Sequence, residues 1–240
     1  MNKYVTDWKT FWRNYRRANN VSTPSLFYEV GKTVNGRSIS SEVFERLIDD
    51  IVVSLNLMPD DSLLEMCCGN GLITKPLSPF VNKIYAFDFT EHLIQAAVMQ
   101  NYSANIQYAV GDANGKFLNY FKFDRSPNKI LMNDSLAYFT PYELKGLLRY
   151  ISKEINVFTM YITGIPNKDL QNNFYDTPER RARYEHCVQQ GDLTNDGLGY
   201  WWNLSDIAQI AYDLGLNAHM TNQPEYMSNF RSNVVISSEQ

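Results

Sequence analysis

Short apolar runs in this chain end, one after another, in glycines and carboxylates of the kind that hold a small ligand. The run SLLEMC (62–67) passes directly into Glu65-Met66-Cys67-Cys68-Gly69-Asn70-Gly71. KIYAFD (83–88) ends in Asp88, NIQYAVGD (105–112) in Gly111-Asp112-Ala113, and KILMND (129–134) in Asn133-Asp134-Ser135. Gly69 and Gly71 permit positive φ and let a ligand approach the backbone with no Cβ in the way. Asp88 follows at about 20 residues, where a dinucleotide-type fold places an acid to accept hydrogen bonds from ribose hydroxyls. An Asp after a strand is by itself commonly a turn or cap residue. Four such strand ends in series point to one shared site.

The elements that must position these residues follow a clear rhythm from Asp61 onward. The four runs, with a fifth at NVFTMYITG (156–164), alternate with helical patterns near 72–79, 91–101 and 141–154. Such alternation implies crossover units and a parallel sheet with helices on both faces. In an open sheet of this kind, ligands bind beyond the carboxyl ends of the strands, where strand order reverses. Upstream, an amphipathic helix is expected over about 3–18, with Trp8, Trp12 and Tyr15 on one stripe and a basic face at Arg13, Arg16 and Arg17. A turn-rich segment follows, and then a helix over 41–55 capped by Ser40 or Ser41. Downstream lie a long polar and aromatic stretch, a helix near 204–214 and two strand-like runs, AHMTNQ and SNVVISS. The expectation is one domain: a helical extension or lid (1–60), a core (61–164), an insertion (165–203) and a closing helix with strands (204–240).

Composition removes several function classes. The 240 residues carry a net charge of −4, with 44% hydrophobic and 20% charged residues. The mildly acidic balance argues against a general nucleic-acid binder, which needs a basic face to displace phosphate counterions; the local exception is Arg13, Arg16 and Arg17. No apolar run approaches the ~18–20 residues of a membrane span, and the N-terminus has no signal-peptide h-region. Three cysteines, two of them adjacent, form no disulfide framework, so a soluble, cytoplasmic protein is expected. Cys67-Cys68 lacks the spacing of zinc ligands, and no metal is expected. No P-loop pattern occurs. A nicotinamide or flavin site needs G-x-G-x-x-G, and Thr74 stands at the third glycine position.

On the loop E-M-C-C-G-N-G and the carboxylates ending successive strands, the chain resembles the class I S-adenosylmethionine-dependent methyltransferases over roughly residues 60–164. FYEVGKTVNG followed by LLEMCCGNGLIT is further similar to bacterial small-molecule methyltransferases of surface-polysaccharide pathways. The resemblance implies an α/β, Rossmann-like three-layer sandwich, with a mostly parallel seven-stranded sheet and an N-terminal helical extension. It implies S-adenosyl-L-methionine as cofactor and S-adenosyl-L-homocysteine as product. Glu65, Cys67, Gly69 and Gly71 would hold the methionine and ribose portion, and Asp88 the ribose hydroxyls with Phe89 beside the adenine. Asp112 and Ala113 would take the adenine edge, and Asn133 the methionine ammonium. The usual first glycine of that loop is Cys67 here.

The acceptor side is read from the insertion. Thr177-Pro178-Glu179 is a helix start, and the helix carries Arg180, Arg181, Arg183 and His186. His186, with a side-chain pKa ordinarily near neutrality, is the first candidate for a general base, with Asp134 and Tyr200 next. Tyr28, Ser135, Arg183 and Trp201 are expected to meet the acceptor. Arginines facing the cleft would suit an acceptor with a phosphate or carboxylate, such as a sugar or phosphorylated polysaccharide precursor. The expected partner is a small-molecule acceptor methylated on O or N, with no nucleic acid, no membrane, and homodimer formation left open. The alternatives are a non-catalytic donor-binding partner protein and an NAD(P)-dependent oxidoreductase.

Overall fold

A computed structural model describes residues 7–15, 25–34, 37–193 and 198–238. Nine strands occur among these residues: β1 (Thr33–Val34), β2 (Arg37–Ser38), β3 (Ser62–Met66), β4 (Lys83–Asp88), β5 (Ile106–Val110), β6 (Lys129–Asn133), β7 (Thr159–Pro166), β8 (Asn217–Asn222) and β9 (Arg231–Ser237). β1 and β2 form a small hairpin, and the others one sheet in the order β5-β4-β3-β6-β7-β9-β8. β3 through β7 run parallel. β9 is antiparallel to both β7 and β8. The strand order reverses between β3 and β6, so the carboxyl ends of these two strands flank the crevice where an open sheet takes its ligand.

The helices are α1 (Trp8–Asn14), α2 (Leu26–Glu29), α3 (Ser41–Leu55), α4 (Thr74–Leu77), α5 (Glu91–Gln100), α6 (Pro141–Glu154), α7 (Gln171–Phe174), α8 (Pro178–Gln190) and α9 (Leu204–Tyr212). The central strands are apolar on both faces, as a sheet covered on both sides requires. Leu64, Met66, Phe87, Ile130 and Met132 pack on α6 and α9. Leu63, Ile84, Ala86 and Leu131 pack on α3, α4 and α5. The buried Tyr161 keeps its hydroxyl satisfied, donating to Asp50 Oδ2 at 2.6 Å and accepting from Asn233 Nδ2 at 2.8 Å.

Local chemistry accounts for the helix limits. Ser40 caps α3 through a 3.2 Å bond from Val43 N–H, and the helix stops at Asn56, which is left-handed. Thr140 and Glu143 form a capping box on α6 behind Pro141. Thr177 caps α8, and Gly191 ends it at φ 70°. The helix expected over 72–79 is cut to the single turn of α4 and a 3₁₀ turn at Ser78–Phe80. Pro76 and Pro79 remove two amide donors from this stretch and crowd the preceding turn. Of the helix expected over 3–18, α1 is described, while 3–6 and 16–18 lie outside the described residues.

The insertion proves largely helical, containing α7 and α8. Its two ends are stitched together: Trp202 N–H donates to Pro166 O at 2.8 Å and Lys168 N–H to Trp202 O at 2.8 Å. The Trp202 ring is fully buried, and its Nε1–H donates to Leu136 O at 3.0 Å. Removing it leaves a large void and an orphaned carbonyl at the root of the insertion. Trp202→Ala is expected to cost about 3–5 kcal/mol of stability, measured by urea unfolding.

Candidate active site

The site begins where β3 turns. Cys67, Gly69 and Gly71 all have positive φ, at 57°, 56° and 75°. A cysteine in this region is strained, so the departure from glycine at Cys67 is tolerated rather than favoured. A Cβ on Gly69 would lie 2.7 Å from Val30 Cγ1, because the N-terminal extension rests directly on the loop. Asn70 holds it there, donating from Nδ2 to Leu26 O at 2.8 Å and to Glu29 Oε2 at 2.9 Å. Gly71 has a different reason from the one its motif suggests. It lies behind the cavity rather than on its wall, and a Cβ would lie 2.5 Å from the Tyr108 hydroxyl.

Two acids converge beneath this loop. Asp88 accepts from Gly69 N–H at 3.1 Å and from Thr90 N–H at 2.8 Å, which ties the loop to the end of β4. Burial still raises its pKa, the Thr90 and Gly69 amides offsetting only part of that effect. Glu65 is 2% exposed, and its Oε2 has no hydrogen-bond partner. Burial above all, with the Asp88 charge adding to it, pushes its pKa up to about 8, against a smaller opposing effect of the Thr74 hydroxyl. An unpartnered buried carboxylate on a cavity wall is a receptor for a cation. Burial likewise raises the Cys67 and Cys68 thiols, leaving neither as an activated nucleophile.

These residues line a cavity of about 1120 Å³. That is larger than the ~300–1,000 Å³ typical of a site for one ligand, and suits two. Phe89, Asp112 and Ala113 line it beyond β4 and β5. Asp112 accepts from Asn114 N–H at 3.0 Å and is ion-paired with Lys9 of α1. Trp8 and Trp12 of the same helix pack on Tyr138 with ring centroids 4.8 and 5.5 Å apart, so α1 roofs this end.

At the end of β6, Asn133, Asp134 and Ser135 line the wall. The Asn133 side-chain oxygen accepts from Thr163 Oγ1 at 2.7 Å and Lys32 Nζ at 3.5 Å, while its backbone carbonyl accepts from Ser135 Oγ at 2.9 Å. Asp134 has φ 52° and is ion-paired with Lys32 on one oxygen and with Arg231 Nη1, at 3.1 Å, on the other. Burial opposes its ionisation, but Lys32 and Arg231 outweigh burial and hold its pKa below the usual value. A carboxylate so held is a weak proton acceptor, which turns the expected base into an anchoring point.

The other expected acceptor residues divide. Arg183 and Tyr200 line the cavity, as does Arg180. His186 does not: it is exposed on α8, off the cavity wall, because Arg180 and Arg183 occupy the face turned inward. Trp201 is buried away from the cavity, with Nε1–H donating to the Tyr175 hydroxyl at 3.3 Å. Arg181 instead donates to Tyr175 O at 2.8 Å. Tyr28 stands in α2 off the lining, and it is Val30, Gly31, Lys32 and Thr33 of that segment that reach the site. Lys32 and Arg231 escaped sequence reading: Lys32 lies in the FYEVGKTVNG segment, whose resemblance gave its cation no role, and Arg231 is a lone cation at the start of the last strand.

No protein-family model matches the chain. It is 26% identical over 98 residues to a 23S rRNA (uracil(1939)-C(5))-methyltransferase of Pasteurella multocida, covering 40% of this chain and 22% of that protein. It is 27% identical over 108 residues to a ribosomal RNA small subunit methyltransferase A of a Picosynechococcus species, covering 42% and 37%. The matches thus span well under half of these relatives. Among solved structures it is similar to magnesium protoporphyrin IX methyltransferase from Synechocystis with bound S-adenosylmethionine, with TM-score 0.59, 13% identity, and coverage of 98% of this chain and 99% of that one. It also resembles a S-adenosylmethionine-dependent methyltransferase of Leishmania major, with TM-score 0.59, 10% identity, and coverage of 95% and 80%. The fold is that of the class I S-adenosylmethionine-dependent methyltransferases. No helix among the described residues is long and apolar enough to cross a membrane.

Glu65 sets a pH dependence. Between the ordinary 4.5 and about 8 the native carboxyl keeps a proton that the unfolded chain has released. Native stability therefore falls as pH rises through that window, by up to about 1.4 kcal/mol per pH unit. Urea unfolding across the window is expected to show this slope in the ligand-free protein and to lose it in Glu65→Gln.

Proposed function

We propose that this protein is a S-adenosylmethionine-dependent methyltransferase acting on an O or N atom of a small molecule. The observation that carries this reading is the unpartnered, buried Glu65 oxygen beside the Asp88-latched glycine loop, on the wall of a cavity large enough for two ligands. The residues fit the cofactor. Glu65 would face the cationic amino group, Gly69 would admit the backbone-hugging portion, and Asp88 has the capacity to accept from ribose hydroxyls. Phe89, Asp112 and Ala113 would hold the adenine once Lys9 yields its pairing with Asp112. A neighbour of the same fold was crystallised with S-adenosylhomocysteine, which supports the assignment of the same product here.

The bound cofactor supplies an electrophilic methyl group on a sulfonium. What this chain contributes is position, which accounts for several kcal/mol of such a barrier when the reacting atoms are held about 3–3.5 Å apart. Asp134, kept ionised by its two cations, would accept a hydrogen bond from the acceptor's hydroxyl or amine and turn its lone pair toward the reacting centre, and the proton on that atom, made strongly acidic by the new bond, leaves to solvent. Tyr200 and Tyr138 bound the acceptor from the roof and exclude water. A small acceptor is favoured over RNA by the roofed cavity and the net charge of −4.

Calorimetric titration tests the reading. S-adenosylmethionine and S-adenosylhomocysteine are expected to bind at micromolar concentrations and NAD not at all; the reverse pattern would sink the proposal. Asp88→Asn is expected to weaken S-adenosylhomocysteine binding by about 1–3 kcal/mol, the scale of hydrogen bonds lost from a charged group. A cation seated against Glu65 favours its ionised form, so binding near pH 7 should release a proton. Repeating the titration in buffers of different ionisation enthalpy measures that release, and Glu65→Gln should abolish it.

A further inference from the structure

The two ends of the cavity differ in charge. Asp88, Asp112 and Glu143, together with the carboxyl of Glu65, line the end beyond β3 to β5; Lys9 on the same wall is paired with Asp112, and Glu143 accepts from Asn114 Nδ2 at 2.9 Å. The other end is lined by Lys32, Arg180, Arg183 and Arg231, against the single carboxylate of Asp134. These cations form one connected wall. Lys32 and Arg231 share Asp134, and Arg231 lies over the Phe230 ring at 5.5 Å. Phe230 packs on Phe174 with centroids 4.8 Å apart, and Arg180 lies over Phe174 at 5.3 Å. Arg183 follows one turn later on α8.

Part of this positive charge is already answered. Arg180 is paired with Asp176 at 2.9 Å, and Asp134 balances one of its two partners. Arg183 has neither an ion pair nor a hydrogen bond among the described residues. S-adenosylmethionine brings one carboxylate against two positive groups, so with its net positive charge it leaves a surplus of cations on the facing wall unanswered, and the compensating negative charge falls to the second ligand. Lys32 is only 8% exposed, and such a buried cation needs full compensation.

Resting on the methyl-transfer reading above, we infer that the acceptor is an anion: its carboxylate or phosphate sits on Arg183 and on the side of Arg231 turned from Asp134, and its flat apolar body lies against Phe174 and Tyr200. Arginine suits this role because its planar fork meets either anion with two parallel hydrogen bonds. Arg183 is then a specificity determinant, while Asp134 remains the positioning group.

The test uses the full chain saturated with S-adenosylhomocysteine and, separately, free of it. Each is titrated with 4-hydroxybenzoate and with inorganic pyrophosphate, which distinguishes a carboxylate from a phosphate site. One probe is expected to bind at submillimolar concentration, weakening at least tenfold in Arg183→Gln and weakening with added salt, while S-adenosylhomocysteine affinity stays unchanged. Arg183 is exposed, so the variant should fold; Arg231→Gln should weaken the same probe. Absence of binding by both probes, or binding indifferent to Arg183→Gln, overturns the inference. Failure of S-adenosylhomocysteine to bind would instead strike the methyltransferase reading, and the anion titration of the free protein would still decide this one.

Discussion

A half-buried carboxylate stays ionised when cations meet it, and Asp134 is met by cations from both ends of the chain. Lys32 arrives from the N-terminal extension and Arg231 from the start of the last strand, while Asp134 itself sits at the end of β6 in a left-handed conformation. Gly164 of β7 makes the arrangement sterically possible, since a Cβ there would lie 1.6 Å from Asp134 Oδ1. Arg231 also donates to Gly164 O at 2.7 Å, closing the ring of contacts. Removing Asp134 would leave the buried Lys32 ammonium uncompensated, which costs more than the pair contributes as a whole. The extension, the parallel core and the antiparallel edge therefore meet at Asp134, on the wall of the cavity.

The two acids of the site illustrate how environment separates identical chemistry. Glu65 and Asp134 both lie near the carboxyl ends of central strands, and both are desolvated. Glu65 has no cation beside it and is pushed toward neutrality. Asp134 has two and is held ionised. The first carries an unpartnered buried oxygen and the second is a fixed hydrogen-bond acceptor, so one cavity wall presents two acids of opposite character.

The roof is built from local signals as well as tertiary ones. Asp7 caps α1 by accepting from Thr10 N–H at 3.0 Å, which turns Trp8 and Trp12 onto Tyr138. Thr177 and Pro178 start α8 so that Arg180 and Arg183 fall on its inner face. The seven residues of α1 have little helical stability of their own, so its placement depends on contacts with the core.

Much of this was legible in the residues alone. Alternating apolar runs and helical stretches determined a parallel α/β sheet, and the glycine loop with Asp88, Asp112 and Asn133 marked the successive strand ends that the fold gathers on one cavity wall. These signals are local, set by periods of two and 3.6 residues and by turn chemistry. The helix expected at 72–79 failed because Pro76 and Pro79 override an apolar pattern. What only the tertiary structure decided is which charges meet: Lys32 and Arg231 on Asp134, Arg183 on the cavity wall, and His186 and Trp201 off it. Those pairings join residues about a hundred positions apart, and the face each helix turns inward is settled by packing against other elements. Spacing along the chain carries no record of either, because burial and charge are properties of the folded neighbourhood rather than of the residue.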